Sequence, residues 1–454
     1  MAGGATTTSG IRAAGPALTR AQELYAFALI ASLFFLWGFS YSLVDVLNKK
    51  VQTSFSITKT ESTAIQACYF GAYFVCCLPA SFFASRFGYR IGILLGLTLF
   101  IIGALLFWPA AHYAVYWPFP VCSFVIASGL ATLEVMANSY MTVLGSPEYA
   151  SFRLNIAQAV NGLATVIGPQ IASHTFLKDD SKDLTQLQYV YLAVGCLGGL
   201  LFVLFCVAKL PEITEESLED AQEEAGVVDE RPLWKRKHTM FGFVVQFCYT
   251  GAQVAIASLV INYLTDKGAY STPRATQLFS YMQICFMLSR FVGVVVIRFI
   301  PSSIALSIYG LICMVFCLMA SFTSGETGLV ALFILFFGES IIYPTVFALA
   351  TQFSGREAKR AAGLISSGVA GGAVFPPMQA ALADARNTEL SYIIPALLGY
   401  LPCIPYGIGM YFYGRRMAAV VAGQTRNVEV GAQVSHGDSQ DDKNAGEVEE
   451  IELR

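Results

Sequence analysis

Apolar positions in this chain fall in long continuous runs, each broken by a short cluster of charged residues, glycine or proline, rather than at the spacing of a half-buried helix or strand. Crossing the ~30 Å hydrocarbon core of a bilayer takes about 20 mostly apolar residues in a helix. Runs of that kind predict helices over residues 24–47, 63–84, 91–110, 117–141, 152–176, 189–209, 239–264, 275–298, 302–322, 328–352, 360–383 and 391–413. The fold expected is an all-α membrane protein with twelve transmembrane helices in two six-helix halves.

Polar stretches divide these runs into segments. Residues 1–23 form a small, polar N-terminal segment without the charged and apolar regions of a secretory signal, so the first span itself would direct insertion. Residues 24–209 make the first six-helix half, 210–238 a cytoplasmic linker and 239–413 the second half. The linker is acidic first (PEITEESLEDAQEEAG) and basic last (RPLWKRKH). Residues 414–454 turn polar and acidic, a composition that cannot bury enough apolar surface to fold alone, and read as a disordered cytoplasmic tail. An even number of spans puts both termini on one side. The connections on that side hold about twice as many Lys and Arg as those on the other, which favours cytoplasmic termini. The localisation expected is integral and multi-pass, in the plasma membrane.

Composition narrows the function. Of 454 residues, 55% are hydrophobic and 13% charged, whereas soluble domains carry about 25% charged residues. A net charge of −3 argues against a nucleic-acid partner, which needs a basic face to neutralise phosphates. No G-x-x-x-x-G-K-[ST] loop is present to cradle a nucleotide. The eleven cysteines are scattered through apolar segments and the four histidines lack ligand spacing, so neither metal nor other cofactor is expected, and no enzyme chemistry. The partners expected are a small-molecule substrate, a proton and the lipid bilayer.

The halves repeat. Glu134-x-x-x-Asn138 in the fourth span recurs 205 positions on as Glu339-x-x-x-Tyr343 in the tenth, and the 16-residue interval from Arg153 to Pro169 recurs from Arg360 to Pro376. Duplicated halves are a common plan of secondary transporters, because a site at the repeat interface opens to either side as the halves rock.

A charged side chain at membrane depth costs at least ~2.5–3.5 kcal/mol and needs a reason. Asp45, toward the far end of the first span, and Glu134, in the middle of the fourth, are the candidate proton-coupling residues, since a carboxylate withdrawn from water holds a proton more readily and can bind and release it in a cycle. Asn138 shares a helical face with Glu134, and Gln158 and Asn161 form an amide pair on the fifth span. Amides offer both donors and acceptors to the hydroxyls of a neutral sugar, although hydrogen bonding between helices is an equal use for them. Trp37 and Tyr41, one turn apart and in line with Asp45, can stack on a sugar ring or simply pack. In the second half, Gln253 and Tyr343 are candidate substrate contacts, Arg290 a candidate gate on the cytoplasmic side through a carboxylate or helix C-terminus, and Glu339 a candidate second proton site.

The segments FFLWGFSYSLVDVL, FGAYFVCCLPASFFASRFGYRIGILLGL, LEVMANSYMTVLG, LNIAQAVNGLATVIGP, YTGAQVAIASLVINYL, SRFVGVVVIRFIP, IIYPTVFALAT and GGAVFPPMQAALAD, in this order, resemble the fucose–proton symporter family of the major facilitator superfamily over residues 25–415. The resemblance implies alternating access and symport of a monosaccharide with a proton, with Asp45 tied to proton coupling, Glu134 to proton and substrate handling, and Gln158 and Asn161 to a polar fifth span. The chain departs from the superfamily's loop pattern at Ser85, where an acid is usual, and from the bacterial sugar carriers in having Glu339. The expectation is proton-coupled symport of a neutral hexose or 6-deoxyhexose such as fucose. The alternative is a proton-coupled exporter of another small organic molecule, such as a secondary metabolite.

Overall fold

The computed structural model describes the backbone of residues 19–55, 59–146, 149–174, 184–208, 210–211, 231–266, 270–352, 354, 357–417 and 419. Among these residues the chain is helical with no strand. The N-terminal segment through residue 18, linker residues 212–230 and the tail beyond 419 lie outside the described residues.

Among the described residues the helices make twelve spans. The first is Arg20–Phe55, starting before and ending well past the expected 24–47. The second and third lie in Lys59–His112, where Gly88 leaves helical geometry (φ 83°, ψ 172°) and turns the chain back, a conformation that glycine adopts without steric cost. The fourth to ninth are Pro118–Val143, Ala150–His174, Thr185–Val207, Lys237–Thr265, Thr272–Phe299 and Ser302–Phe322. The last three, Gly325–Ala350, Ala358–Ala385 and Thr388–Met417, are interrupted helices.

The interruptions follow from sequence. The tenth span stops at Glu339 and restarts at Ile342. Pro344 has no N–H for the carbonyl of Ser340 and its ring crowds that carbonyl, which forces the break. At membrane depth no water is available to the freed carbonyls, so protein donors must serve them. Ser289 Oγ donates to the Phe337 carbonyl at 2.7 Å, and Tyr249 OH donates to the Glu339 carbonyl at 2.7 Å. In the eleventh span the run Gly368–Ala373 tightens to a 3₁₀ helix between Ala358–Ser367 and Phe375–Ala385. The twelfth contains a π-helical turn at Pro395–Tyr400.

Within the first half the first span packs on the fifth, and the second and third pack on the fourth and sixth. In the second half the seventh packs on the eleventh and twelfth, and the ninth on the tenth. The outer surface is apolar, with large side chains such as Leu200, Val207 and Phe412 exposed, as lipid contact requires.

Basic residues close the helix ends where carbonyls lack partners and the dipole is negative. Arg153, opening the fifth span, donates to the carbonyls of Met141 (3.2 Å), Thr142 (3.3 Å) and Ser146 (2.8 Å) at the end of the fourth. Arg90 reaches Phe205 and Cys206 at the end of the sixth. Past the tenth span, Arg236 donates to the Ser354 carbonyl at 2.8 Å, His238 pairs with that of Gln352 at 3.1 Å, and Thr239 donates to that of Ala350 at 3.0 Å.

Candidate functional site

The two halves meet where the fifth span faces the eighth and the second faces the eleventh. Polar side chains on this surface pair across it. Glu134, in the unbroken and almost wholly buried fourth span, is 2% exposed. Its Oε1 accepts a hydrogen bond from Tyr343 OH, which belongs to the first turn after the break in the tenth span. Asn138 Nδ2 donates to the same oxygen at 3.4 Å from one turn along the fourth span. Tyr73, fully buried in the second span, stands against the same carboxylate.

A second crossing joins the eighth span to the fifth. Arg290 donates through Nη1 to the Gln158 side-chain oxygen at 2.9 Å and also to the Gln158 carbonyl. Its guanidinium lies over the Phe286 ring, 4.7 Å from the centroid. The carboxylate or helix end expected as its partner is replaced by an amide in mid-span, because the fifth span presents Gln158 at this level. Toward the end at which the first span begins, Asn155 Nδ2 approaches Thr345 Oγ1 at 3.5 Å. Further along, Lys359 Nζ donates to the Ala84 carbonyl at 3.2 Å and lies over the Tyr89 ring at 4.6 Å. Arg360 lies over the Phe82 ring at 5.1 Å. These contacts close the interface from mid-span to that end.

Aromatic rings line the approach. Trp37 is half-buried, 6.3 Å from the Tyr343 ring centroid, and Tyr41 is 6.0 Å from Tyr69, which is 5.6 Å from Tyr73. Several buried polar atoms of the crossing have no protein partner: Glu134 Oε2, Asn138 Oδ1, Gln158 Nε2 and Arg290 Nε. Buried polar groups are normally satisfied, and an unpaired one is costly. Two unpartnered acceptors at the first crossing and two unpartnered donors at the second suit a ligand that carries several hydroxyls.

The other candidates from the sequence fall in different places. Asp45 lies in the first helix, but its side chain lies outside the described residues. Asn161 Nδ2 donates to the Phe34 carbonyl at 3.0 Å, which ties the fifth span to the first within one half. Gln253 is half-buried in the seventh span. Glu339, 1% exposed, sits inside the second half and accepts from Tyr400 OH rather than facing Glu134. Asn155, Tyr73 and Lys359 were not among the candidates. Asn155 was within reach of the same reasoning, since it precedes Gln158 by three residues as Gln158 precedes Asn161. Lys359 stands among the charged residues between the tenth and eleventh runs, and nothing in its neighbourhood in sequence marks a buried, interhalf lysine.

The model of the Major Facilitator Superfamily matches residues 28–377. A glucose/galactose transporter of Brucella abortus (strain 2308) is 32% identical over 407 residues, 87% of this chain and 95% of the relative. The L-fucose-proton symporter of Escherichia coli (strain K12) is 32% identical over 394 residues, 82% of this chain and 90% of the relative. Among solved structures, a major facilitator transporter, FucP, in the outward conformation superposes with a TM-score of 0.76 at 29% identity, covering 86% of this chain and 99% of that one.

Proposed function

This chain belongs to the major facilitator superfamily, and from that premise we propose that it is a secondary active transporter that couples symport of a neutral monosaccharide to a proton by alternating access. The observation that carries the reading is the buried Glu134, hydrogen-bonded by Tyr343 across the two halves and flanked by unpartnered polar atoms. The names of the relatives, a glucose/galactose transporter and an L-fucose-proton symporter, support a hexose or 6-deoxyhexose as solute. The chain is a transporter and not an enzyme.

Glu134 and Asp45 carry the proton. Glu134 is suited to this because its carboxylate takes a hydrogen bond from each half: releasing or binding a proton changes what it accepts and donates, and with that the strength of the crossing. Trp37, Tyr41, Asn138, Gln158, Asn161, Gln253 and Tyr343 form the solute site, with rings against the apolar face of the sugar and amides on its hydroxyls. Arg290 holds Gln158 in place and ties the fifth span to the eighth. The termini lie in the cytoplasm and the protein works in the plasma membrane. The contacts of Lys359, Arg360 and Asn155 then close the cytoplasmic end, leaving the solute site to be reached from outside.

The test is the external pH of proteoliposomes of known orientation on addition of hexoses, 6-deoxyhexoses and pentoses. Alkalinisation with one sugar, absent in Asp45→Asn, is expected. Silence across the panel with folded protein would transfer the reading to an exporter of another small organic molecule.

A further inference from the structure

Pro344 requires the tenth span to break, but it does not decide the direction in which the helix resumes. That direction matters, because Tyr343 lies in the first turn after the break and meets Glu134 of the other half. Hydroxyls from three other spans converge on the two residues at the break. Tyr400 OH, from the twelfth span, donates to the Glu339 carboxylate. Tyr249 OH, from the seventh, donates to the Glu339 backbone carbonyl at 2.7 Å. Ser289, from the eighth, pairs with Ser340 Oγ at 2.9 Å. Glu339 is therefore held by both its side chain and its main chain, at 1% exposure, and these partners all belong to the second half.

We propose that Glu339 is a positioning residue, whose anchored side chain and carbonyl set the exit direction of the tenth span and so aim Tyr343 at Glu134. This rests on the reading of Glu134 and Tyr343 as parts of the transport site. The carboxylate suits the task because it is acceptor-only when ionised and draws a strong hydrogen bond from a phenol. The tyrosines suit it because their rings are rigid; the rings of Tyr249 and Tyr400 pack against each other with centroids 6.3 Å apart. The π-helical turn Pro395–Tyr400 places Tyr400 for this contact, and such turns are frequent at functional positions.

The experiment compares Glu339→Ala, Glu339→Gln, Tyr400→Phe, Tyr343→Phe and the double variant Glu339→Ala/Tyr343→Phe in proteoliposomes, with two readouts. One is the KM and proton:sugar ratio of uptake. The other needs no sugar: the emission of Trp37, beside Tyr343, in protein whose Trp108, Trp117 and Trp234 are replaced by Phe. Glu339→Ala should raise KM about fivefold, the scale of one hydrogen bond of about 1 kcal/mol. It should also shift Trp37 emission as Tyr343→Phe does, and the double variant should be no worse than Tyr343→Phe alone. Glu339→Gln, whose amide oxygen still accepts from Tyr400, should keep the wild-type proton:sugar ratio and emission. Loss of proton-driven accumulation in Glu339→Gln with sugar exchange intact would overturn the proposal in favour of a proton-carrying role. Additive effects in the double variant, or unmoved Trp37 emission, would also overturn it. If Glu339→Ala does not fold, Tyr400→Phe carries both readouts, since it keeps the carboxylate and removes its anchor. If the wild type moves no sugar while the emission changes follow the pattern above, the positioning role stands and the transport reading falls.

Discussion

The fourth and tenth spans carry one pattern at one spacing, Glu134 with Asn138 and Glu339 with Tyr343, yet they use it differently. In the fourth span the helix is continuous from Pro118 to Val143, and the acid and the residue one turn later both meet at the interface between halves. In the tenth, Pro344 breaks the helix between the two. The acid stays inside its own half and only the later residue, Tyr343, reaches the interface. A single proline separates the two acids: in the proposed reading Glu134 responds to a proton and a solute, and Glu339 holds a backbone. The position of Pro344 in the first half is Ser139, 205 residues earlier, whose Oγ pairs with Tyr89 OH at 2.9 Å.

The strongest way to break the comparison is to make the first half copy the second. Ser139→Pro removes the Tyr89 contact and puts an interior proline into a continuous, almost wholly buried helix. It should cost about 3 kcal/mol or more. The expected outcome is loss of monodisperse protein and a large fall in the midpoint of thermal unfolding in detergent. A folded, near-native variant would mean that the fourth span tolerates a break as the tenth does.

Next in size is Glu134→Gln, which leaves an oxygen to accept from Tyr343 but removes the titratable group. Accumulation driven by a proton gradient should fall to background while exchange of solute down its own gradient persists. Retained pH-dependent accumulation would remove Glu134 from the coupling and leave its contact with Tyr343 a packing feature.

The spans themselves were readable because each must present a long apolar run to lipid, and the runs are separated by charges that cannot sit at membrane depth. Their internal geometry was less so. The predicted helix over 328–352 gave no sign of a break, although the proline that causes it stands in plain view. A proline in a membrane helix breaks it only where neighbours can serve the freed carbonyls, and here those neighbours, Ser289 and Tyr249, are distant in sequence. The site was legible residue by residue and not as pairs. Glu134, Asn138, Gln158, Arg290 and Tyr343 stood out as polar groups in apolar surroundings, but that Tyr343 meets Glu134 is a contact over 209 residues that only the packing of the halves decides. Asn161 shows the reverse: its spacing from Gln158 suggested a shared task, whereas its amide is spent on the Phe34 carbonyl.

The repeat diverges again at the helix starts that follow these spans. Arg153 serves its own half, capping the end of the fourth span with three carbonyl contacts. Its counterpart Arg360 and the adjacent Lys359 reach across to the second span, because Arg236, His238 and Thr239 already serve the end of the tenth. Arg153→Ala should therefore lower stability, by about 2 kcal/mol for hydrogen bonds from a charged donor, and do so without favouring one conformation. The check is thermal unfolding alongside uptake per folded molecule: a large change in uptake with unchanged stability would make Arg153 part of the moving interface instead.

Lys359→Ala should do the opposite, and with the smallest effect. The contact it loses joins the two halves and exists only while that end of the interface is closed, so its removal weakens one conformation relative to the other rather than the folded state relative to the unfolded. A hydrogen bond from a charged donor, about 1.5 kcal/mol, amounts to roughly a tenfold change in the ratio of the two. Ser85 lies beside the closure, its hydroxyl buried without a partner, so a Ser85→Cys protein reports the opening. Labelling of residue 85 by a membrane-impermeant maleimide, followed by mass spectrometry in vesicles of both orientations, should rise several-fold with Lys359→Ala, and only from the side on which the first span begins. The direction is fixed by the geometry: a lysine that merely capped the second span would lower the unfolding temperature and leave the labelling rate unchanged, whereas a clasp between halves raises the rate and leaves the unfolding temperature in place.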